Sequence, residues 1–461
     1  MGSVRVVGGG LAGCEAAWQA ASRGVSVTLH EMRPARTTAV HATDGLAELV
    51  CSNSLRADKL DNAVGLLKAE MRRLGSLVMQ AAAATRVPAG AALAVDREAF
   101  SAFVTRAILE HPLIRVVREE IAAIPEPLGP REPVVIATGP LTSDALSAAI
   151  AAFVGQAHLA FYDAISPIVE AGSIDMGTVF RGSRWDRGDS VVGDYLNCAM
   201  DEATYLAFHD AIVHARSATV HDFDKERFFE GCLPIEVLAH RGLDTLRFGP
   251  MKPVGLVDPR TGRRPYAVVQ LRQDSIAANH FSLVGFQTQL ARGEQERVLR
   301  MIPGLERAEF VRYGMVHRNT YINGPSVLRE TWQTRTREDL LFAGQLSGVE
   351  GYVESAASGL LAGINAAALA AGEPARSAPR TTAIGALAYY VSHASAGRYE
   401  PSNITFGIME PLTAPPRKKL DRNAALSARA LADLDAWIAA EGVGVQGVTV
   451  QCDSGCVTGV V

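Results

Sequence analysis

The sequence lacks an excess of basic residues. Its 461 residues include 45 lysines and arginines against 49 aspartates and glutamates, a formal net charge of −4. Such a chain has no global positive field, so any contact with a nucleic acid must come from local clusters of basic residues. The composition, 48% hydrophobic and 20% charged, is typical of a globular protein, and the length fits two or three domains.

Cysteines are also scarce, and long hydrophobic runs are missing. Six cysteines in this length are too few for a disulfide framework, so we expect reduced thiols. The first four have no metal-ligand spacing, and the pair Cys452 and Cys456 has no matching partners, so we predict no metal site. No apolar run reaches membrane-spanning length, and no signal peptide precedes the first predicted strand. We expect a cytoplasmic protein that does not enter a membrane.

The most informative stretch is the N-terminal one. An apolar run over residues 4–7 leads into Gly8-x-Gly10-x-x-Gly13 and an alanine-rich segment, which predicts a strand, a tight turn and a helix. A second strand is predicted over residues 25–29, with Glu31 just beyond it. In this context the glycines admit a pyrophosphate, the helix N-terminus binds its phosphates, and Glu31 accepts hydrogen bonds from a ribose. The predicted dinucleotide site comprises Gly8, Gly9, Gly10, Leu11, Ala12, Gly13, Glu31, Met32 and Arg33.

Two later segments extend this prediction to FAD. Residues 133–139 are predicted to form a buried strand ending in Ala137-Thr-Gly139, and residues 339–365 return to a strand, a glycine turn and a helix. That helix could point its N-terminus at a flavin ring. No second Gly-x-Gly-x-x-Gly occurs, so a reduced nicotinamide would have to dock transiently. The cofactor contacts predicted here are Thr138, Gly139, Gly344, Gln345, Gly351 and Tyr352; for Tyr352, core packing is an equal alternative to stacking.

These segments predict an α/β protein with a discontinuous Rossmann-type FAD-binding domain of the two-dinucleotide flavoprotein kind. We assign its two parts to residues 1–158 and 324–440, and an inserted α+β domain to residues 159–323. Residues 441–461 are a tail of unknown role. Residues 64–84 have helical periodicity, with Lys68, Glu70, Arg72 and Arg73 on the predicted polar side.

Several long blocks together resemble one family, the folate- and FAD-dependent RNA uracil-5-methyltransferases. The resemblance runs from about residue 4 to residue 407. The blocks that carry it most clearly are Gly8-Gly-Gly-Leu-Ala-Gly-Cys-Glu15, Glu48-Leu-Val-Cys-Ser-Asn-Ser-Leu-Arg-Ala-Asp58, Phe229-Glu-Gly-Cys-Leu-Pro-Ile-Glu236, Arg247-Phe-Gly-Pro-Met-Lys-Pro-Val-Gly-Leu256, His317-Arg-Asn-Thr-Tyr321 and Gln345-Leu-Ser-Gly-Val-Glu-Gly-Tyr-Val-Glu-Ser355.

The resemblance implies a reaction. Methylenetetrahydrofolate donates a one-carbon unit, reduced FAD supplies electrons, and NADH or NADPH reduces the flavin again. The acceptor is C5 of a uridine, typically in the T-loop of tRNA. A close relative acts on ribosomal RNA, and a related larger flavoenzyme modifies the wobble uridine of tRNA. Two further hypotheses stay open: a flavin oxidoreductase of small molecules, and a flavin-holding RNA-binding protein that has lost its chemistry.

The resemblance also implies catalytic and folate-binding residues. Cys232 matches the nucleophile whose thiolate adds to the uracil ring and makes the poorly nucleophilic C5 enolate-like. Cys51 matches a second cysteine, which protects or activates the first or assists at the flavin. A single cysteine is otherwise often a small buried hydrophobe, which we expect of Cys14 and Cys198. His317, followed by Arg318, matches a histidine that stacks on the folate pterin; a histidine satisfied within a core is the alternative.

Candidate RNA contacts are arginines in loops near Trp185 and Tyr266. Aromatic rings beside basic groups suit unstacked bases and their phosphates. A solvated charged face is the alternative for each cluster alone. The residues are Arg181, Arg184, Arg263 and Arg264.

Overall fold

The computed structural model describes residues 2–38, 40–127, 129, 131–155, 159–186, 193–218 and 233–444. The strands in chain order are β1 Ser3–Val7, β2 Ser26–Glu31, β3 Ser54–Ala57, β4 Arg86–Val87, β5 Ala92–Val95, β6 Ile114–Arg118, β7 Val134–Ile136, β8 Leu159–Ala164, β9 Ile168–Glu170, β10 Phe180–Gly182, β11 Tyr195–Met200, β12 Ala267–Gln273, β13 His280–Leu283, β14 Phe310–Arg312, β15 Val316–Tyr321 and β16 Leu340–Phe342.

The α-helices in chain order are α1 Leu11–Ala21, α2 Ala63–Arg73, α3 Leu77–Ala84, α4 Arg97–Glu110, α5 Asp144–Val154, α6 Glu202–Val213, α7 Ile235–His240, α8 Thr245–Phe248, α9 Arg292–Leu299, α10 Gly324–Val327, α11 Tyr352–Ala371, α12 Ala383–His393 and α13 Lys419–Glu441.

A five-stranded sheet forms the centre of the Rossmann-type domain. Its order is β16-β7-β1-β2-β6 and every pairing is parallel. Because β16 comes from residues 340–342 and pairs with β7 from residues 134–136, distant parts of the chain build one sheet. The prediction of a discontinuous Rossmann-type domain is confirmed. The exact domain boundaries stay a prediction.

Helices α1 and α11 pack tightly against each other on this sheet. A Cβ added to Gly359 would lie 2.1 Å from the carbonyl oxygen of Ala12, and one added to Gly363 would lie 2.5 Å from that of Ala16. Only glycine allows the two backbones to approach this closely. The contact brings the N-termini of both helices to the same region of the sheet.

The inserted part is built on a second, antiparallel sheet. Its six strands have the order β10-β11-β12-β13-β9-β14, and its core includes Tyr205, Phe208 and Phe286. The antiparallel pair β8 and β15 stands at the beginning and end of this segment. An α+β insertion is therefore confirmed as part of the fold class.

The segment predicted as one helix over residues 64–84 is two helices. The chain breaks at Gly75, whose φ of +74° ends α2 before Ser76 caps α3 by accepting a hydrogen bond from Met79. Of the predicted polar side, Arg72 and Arg73 are exposed, whereas Lys68 and Glu70 are fully buried. Lys68 donates to the carbonyl of Leu55, a contact that helical periodicity does not reveal.

Glu70 is buried because it caps a distant helix. Its carboxylate accepts hydrogen bonds of 2.8 Å from the backbone amides of Ala383 and Ile384 at the start of α12. Burial raises the pKa of Glu70 to about 8.

Helix α11 is an exception to the expectation that no apolar run reaches membrane-spanning length. Its 20 residues are long and apolar enough to cross a membrane, but 94% of its most apolar window is buried within the protein. It is the central core helix of the Rossmann-type domain, which accounts for its apolar composition.

Candidate functional site

A cleft of about 1040 Å³, including its part open to solvent, lies at the carboxyl ends of β1, β7 and β16. This is the edge of a parallel sheet at which ligands bind. The residues that line it are Val7, Gly8, Gly9, Gly10, Leu11, Ala12, His30, Glu31, Met32, Arg33, His41, Glu48, Val50, Glu119, Glu120, Ile121, Ala137, Thr138, Gly139, Pro140, Leu141, Thr142, Ser143, Leu146, Gly344, Gln345, Tyr352 and Ser355.

The glycine turn at the end of β1 has the geometry of a phosphate site. Gly8 has φ +104°, and a Cβ on Gly13 would lie 1.8 Å from the carbonyl oxygen of Gly8. A Cβ on Gly10, by contrast, would meet no heavy atom within 4 Å. Gly10 caps α1 without a side-chain hydrogen bond, so the amides of the first turn are available to an anion in the cleft.

Glu31 is fixed in the wall by its neighbours. One carboxylate oxygen accepts a hydrogen bond of 2.8 Å from the amide of Gly9, and the other accepts two of 3.0 Å from Arg33. Arg33 also donates to Glu48 at 3.1 Å. Burial by itself would raise the pKa of Glu31, but the bonds and charge of Arg33 outweigh it and leave this pKa below its usual value. The carboxylate is therefore ionised and oriented before any ligand binds.

The fold brings most predicted cofactor contacts together. The cleft wall contains every predicted residue of this group except Gly13 and Gly351. Gly13 lies behind the wall, where it allows α1 to pack on the turn. Gly351 precedes α11 with φ +104° and lies beside Glu354. The roles of all these residues toward a cofactor stay a prediction.

Sequence reasoning missed part of the wall. Glu119, Glu120 and Ile121 follow β6, and His30 precedes Glu31 on β2. His30 accepts or donates a 2.9 Å hydrogen bond at Nδ1 with Glu119, and its buried Nε2 has no partner among the described residues. The three β-branched residues in Ile-Arg-Val-Val-Arg over residues 114–118 could have revealed β6, but its place beside β2 required the sheet order.

The Cys51 loop touches the cleft through Tyr352. The amides of Cys51 and Ser52 donate to the hydroxyl of Tyr352 at 2.6 and 3.2 Å. Tyr352 thus lies in the cleft wall, as expected of a residue that stacks on a cofactor. It also binds the Cys51 loop within the protein, as expected of a residue that packs in the core. Burial, together with Cys51, raises the pKa of its hydroxyl well above the usual range.

The opposite side of the same loop contacts the inserted part. Arg272 at the end of β12 donates to Asn53 and Ser52, both at 2.8 Å. Arg97 at the start of α4 donates to Asp274 at 2.8 Å and to the carbonyl of Leu49 at 2.7 Å. The loop is therefore held between the two sheets by the buried Arg272 and the half-buried Arg97.

The electrostatic surroundings of Cys51 are positive. Its sulfur is near enough to Arg97, Arg272 and Arg312 to influence the pKa of each of these guanidinium groups. Cys51 is a thiol and partly exposed. Such a site suits an anionic group.

The structure shows less about the remaining predicted residues, which are the other cysteines, His317 and Arg318. Cys232, with Cys452 and Cys456, lies outside the described residues. The backbone of His317 pairs with Asp163, and that of Arg318 with Tyr162, in the β15–β8 ladder. Cys14 and Cys198 are fully buried, as expected. Among the described residues, no group of three or more histidine, cysteine, aspartate or glutamate side chains could hold a metal ion.

The arginines predicted to bind RNA lie away from the cleft wall, on the inserted part. Arg181 is exposed on β10, and Arg263 and Arg264 are exposed in the turn before β12. Arg184 is half-buried and donates to the carbonyl of Lys252 at 2.8 and 3.2 Å.

The cleft brings together an all-parallel sheet, a glycine turn, an uncapped helix N-terminus and an ionised glutamate. This combination defines a dinucleotide-binding protein of the Rossmann class.

Comparison with known proteins narrows this class to a family. Residues 3–374 match the family described as glucose inhibited division protein A. The chain is 57% identical over 433 residues to methylenetetrahydrofolate–tRNA-(uracil-5-)-methyltransferase TrmFO of Geotalea uraniireducens, covering 94% of this chain and 98% of the relative. It is 58% identical over 433 residues to TrmFO of Pelotomaculum thermopropionicum, with the same coverage. The chain therefore belongs to this family and, within it, to the methylenetetrahydrofolate–tRNA-(uracil-5-)-methyltransferases, which confirms the resemblance.

Solved structures agree on the fold. GidA of Aquifex aeolicus superimposes with a TM-score of 0.69 at 19% identity, covering 97% of this chain and 76% of that chain. A second crystal form gives a TM-score of 0.68 at 18% identity, covering 94% and 73%. At this identity the similarity supports the fold alone.

Proposed function

We propose that this protein methylates C5 of a uridine in the T-loop of tRNA, with methylenetetrahydrofolate as carbon donor and FAD as bound cofactor. The observation that carries the proposal is the 55–58% identity, over nearly the whole chain, to proteins named for folate-dependent uracil-5 methylation of tRNA. The cleft adds independent support because its open turn and fixed glutamate fit a dinucleotide.

The residues proposed to hold FAD divide by the part of the cofactor they suit. Gly9, Gly10, Leu11 and Ala12 suit the pyrophosphate, since their backbone borders the cleft at the start of α1. Glu31 suits the adenosine ribose, with Met32 and Arg33 beside it. The flavin would lie toward the remaining residues, which are Thr138, Gly139, Gly344, Gln345, Gly351 and Tyr352. Bound FAD supplies the reducing equivalents, which NADH or NADPH would restore.

The protein's own contribution to methyl transfer would be nucleophilic activation of the uracil ring. Cys232 is the proposed nucleophile at C6, and its addition makes C5 electron-rich enough to bond to the donated carbon. Loss of the C5 proton and departure of the thiolate from C6 would then restore the C5–C6 double bond. Cys51 would act beside it, at the end of the cleft marked by Tyr352 and within the positive field of three arginines. His317 and Arg318 are proposed to bind the folate, and the target base must leave its stack to reach them.

The proposed RNA contacts are Arg181, Arg184, Arg263 and Arg264. Because the chain carries a net charge of −4, we expect RNA binding to depend on this local cluster and to weaken steeply with salt.

The test is transfer of labelled carbon from methylenetetrahydrofolate to a tRNA transcript by purified, flavin-containing protein. We expect label at uridine C5 that requires both folate and a reduced nicotinamide. The C232A and C51A variants should retain FAD but lose transfer, whereas C198A, at a buried cysteine in the core of the inserted sheet, should retain both. Label entering only from S-adenosylmethionine, or turnover without folate, would contradict the proposal. Label in ribosomal RNA but not tRNA would correct the target.

A further inference from the structure

The segment that follows Cys51 brings basic groups together at the surface of the Rossmann-type domain. The side chains of Arg56 on β3, Arg72 on α2 and Arg86 on β4 are 38%, 42% and 41% exposed. Three different elements therefore place arginines on one surface, although the chain as a whole has a net charge of −4. A local excess of positive charge of this kind indicates an anionic partner.

One carboxylate is shared by three of the cations in this region. Arg72 donates a 2.9 Å hydrogen bond to Asp58, and Nη1 of Arg86 lies 3.3 Å from the second oxygen of the same carboxylate. The ammonium nitrogen of Lys68 lies 3.6 Å from Asp58. Burial lowers the pKa of Lys68 to about 8, so this group is still mostly protonated at pH 7. One negative charge cannot neutralise three positive charges, so the group remains positive.

Arg56 is oriented in advance by a buried carboxylate. Its Nη2 donates to Glu354, whose side chain is fully buried in the first turn of α11. A guanidinium group has five N–H donors in a planar fork, so its exposed part can bind a second anion. The backbone of Arg56 has φ +61°, in the left-handed region that long side chains rarely adopt. Strained residues of this kind concentrate at functional sites.

The first turn of α11 connects this surface to the cleft. Tyr352 in the cleft wall binds the amides of Cys51 and Ser52, and two residues later Glu354 binds Arg56. Five residues of extended chain span at most about 18 Å, so Arg56 lies within that distance of Cys51. Because phosphates flank a target base on both sides, RNA with its base at the Cys51 loop carries negative charge close to these arginines.

We propose that Arg56 and Arg72 bind phosphates of the RNA substrate, and that the positive charges of Lys68 and Arg86 strengthen this site. This inference rests on the proposed function, and it adds a phosphate-binding surface on the Rossmann-type domain to the arginines proposed on the inserted part. RNA fits better than an acidic protein because the surface adjoins the loop that has to meet the target base. It fits better than the carboxylates of a folate because the cations are spread over three elements outside the cleft wall.

The salt dependence of tRNA binding is the first test. We expect R72A to weaken binding and to reduce the slope of log affinity against log salt by about one, because one phosphate contact is lost. R73A is the matched control, since Arg73 is the next residue of α2, is 37% exposed and lies 3.1 Å from a carboxylate of its own, Asp435. R73A should bind as wild type does. A wild-type slope for R72A, or equal effects of R72A and R73A, would overturn the proposal.

D58N provides a test of opposite sign. Loss of the shared carboxylate makes the surface more positive, so we expect D58N to bind tRNA more tightly than wild type and with a steeper salt dependence. A residue with a purely structural role would give unchanged or weaker binding. Weaker tRNA binding by D58N protein whose circular dichroism matches wild type would contradict the proposal.

Arg56 needs a variant that does not leave Glu354 buried without its partner. R56Q/E354Q removes one positive and one negative charge, so the net charge stays at the wild-type value. We expect weaker tRNA binding from this variant, because the lost positive charge is exposed and the lost negative charge is buried. Wild-type binding by R56Q/E354Q would remove Arg56 from the site; if this variant does not fold, R72A and D58N decide the proposal.

Two further measurements identify the anion that binds. Phosphate contacts carry no sequence information, so R72A should weaken the binding of a T-arm hairpin and of a hairpin with a different stem sequence by the same factor. The KM for methylenetetrahydrofolate should stay at the wild-type value. A raised KM for methylenetetrahydrofolate with unchanged tRNA binding would assign the surface to folate carboxylates and overturn the proposal.

The outcomes separate this inference from the proposed function. Wild-type protein that methylates tRNA, while R72A and D58N keep its affinity and salt slope, would overturn the phosphate-binding surface alone. Wild-type protein that neither binds nor methylates tRNA overturns both.

Discussion

At the residue scale, two glycines of the same turn have different roles. Gly13 is needed because the backbone of the turn leaves no room for a side chain, whereas the space beside Gly10 is empty of protein atoms. Gly13 is therefore needed for folding, whereas Gly10 leaves space for a ligand.

Substitution by alanine should separate these roles. With φ −78°, Gly10 tolerates a side chain, so we expect G10A to change the free energy of unfolding by less than about 1 kcal/mol. Its methyl group would occupy cleft space, and FAD affinity should fall at least about tenfold, which is about 1.4 kcal/mol. G13A should instead destabilise the fold by about 3 kcal/mol through overpacking. Thermal unfolding and flavin absorbance after dialysis measure both effects, and a G10A protein with wild-type FAD affinity would contradict the prediction.

Glu70 predicts a pH dependence of stability. Burial raises its pKa from 4.5 to about 8 in the folded state, so the folded state holds a proton that the unfolded state has released between these values. The contribution of Glu70 to stability is therefore largest at low pH and falls as pH rises from about 4.5 to 8. E70Q removes this titration.

The measurement is the difference in free energy of unfolding between wild type and E70Q at several pH values. We expect wild type to lose on the order of 3 kcal/mol relative to E70Q between pH 5 and pH 8.5. The pH-independent effect of losing one cap contact cancels in this comparison. A constant difference across this range would show that Glu70 titrates normally.

At the scale of elements, the contact between α1 and α11 positions both helix N-termini at the cleft. It depends on Gly359 and Gly363, which lie against the backbone of α1. The Cys51 loop is a second such connection, because Tyr352 of α11 binds one side of it and Arg272 of β12 binds the other.

The helix contact can be tested with matched glycine-to-alanine changes. G363A would place Cβ 2.5 Å from the carbonyl oxygen of Ala16, so we expect a loss of about 2 kcal/mol or more in stability and weaker FAD retention. G293A, in α9 with nothing within 4 Å of its new Cβ, should leave stability unchanged or raise it by up to about 1 kcal/mol. Denaturant unfolding compares the two, and equal effects would contradict the packing argument.

At the scale of the whole molecule, the inserted part begins and ends at adjacent positions. The amide of Ile165 donates to the carbonyl of Met315 at 2.8 Å, directly beyond the paired strands β8 and β15. A short linker can close such a gap at little entropic cost. The parallel sheet and its cleft use residues on both sides of this junction.

Replacement of residues 166–314 by a short glycine-serine linker should therefore leave a folded protein that binds FAD and does not methylate RNA. The matched control is a chain ending at residue 158, which lacks β16 and α11 and should bind no FAD. Flavin absorbance and circular dichroism test both. Loss of FAD from the linker variant would show that the inserted part is needed to form the cleft.

The sequence by itself determined the dinucleotide turn, the discontinuous Rossmann-type class and the family. These features are local: backbone geometry requires glycine at Gly8 and Gly13, and Gly10 leaves space for a ligand. All three lie within one strand–turn–helix unit, and their spacing is visible in the linear sequence. The return to a strand, a glycine turn and a helix near Gly344 is local in the same sense.

Only the tertiary structure decided which side chains are buried with distant partners. Lys68 and Glu70 look like the polar side of a surface helix, but Leu55 and the start of α12 supply partners that make their burial possible. Glu119 enters the cleft wall because β6 lies beside β2. Each of these depends on contacts between residues far apart in the chain, and periodicity and propensity carry no information about such contacts.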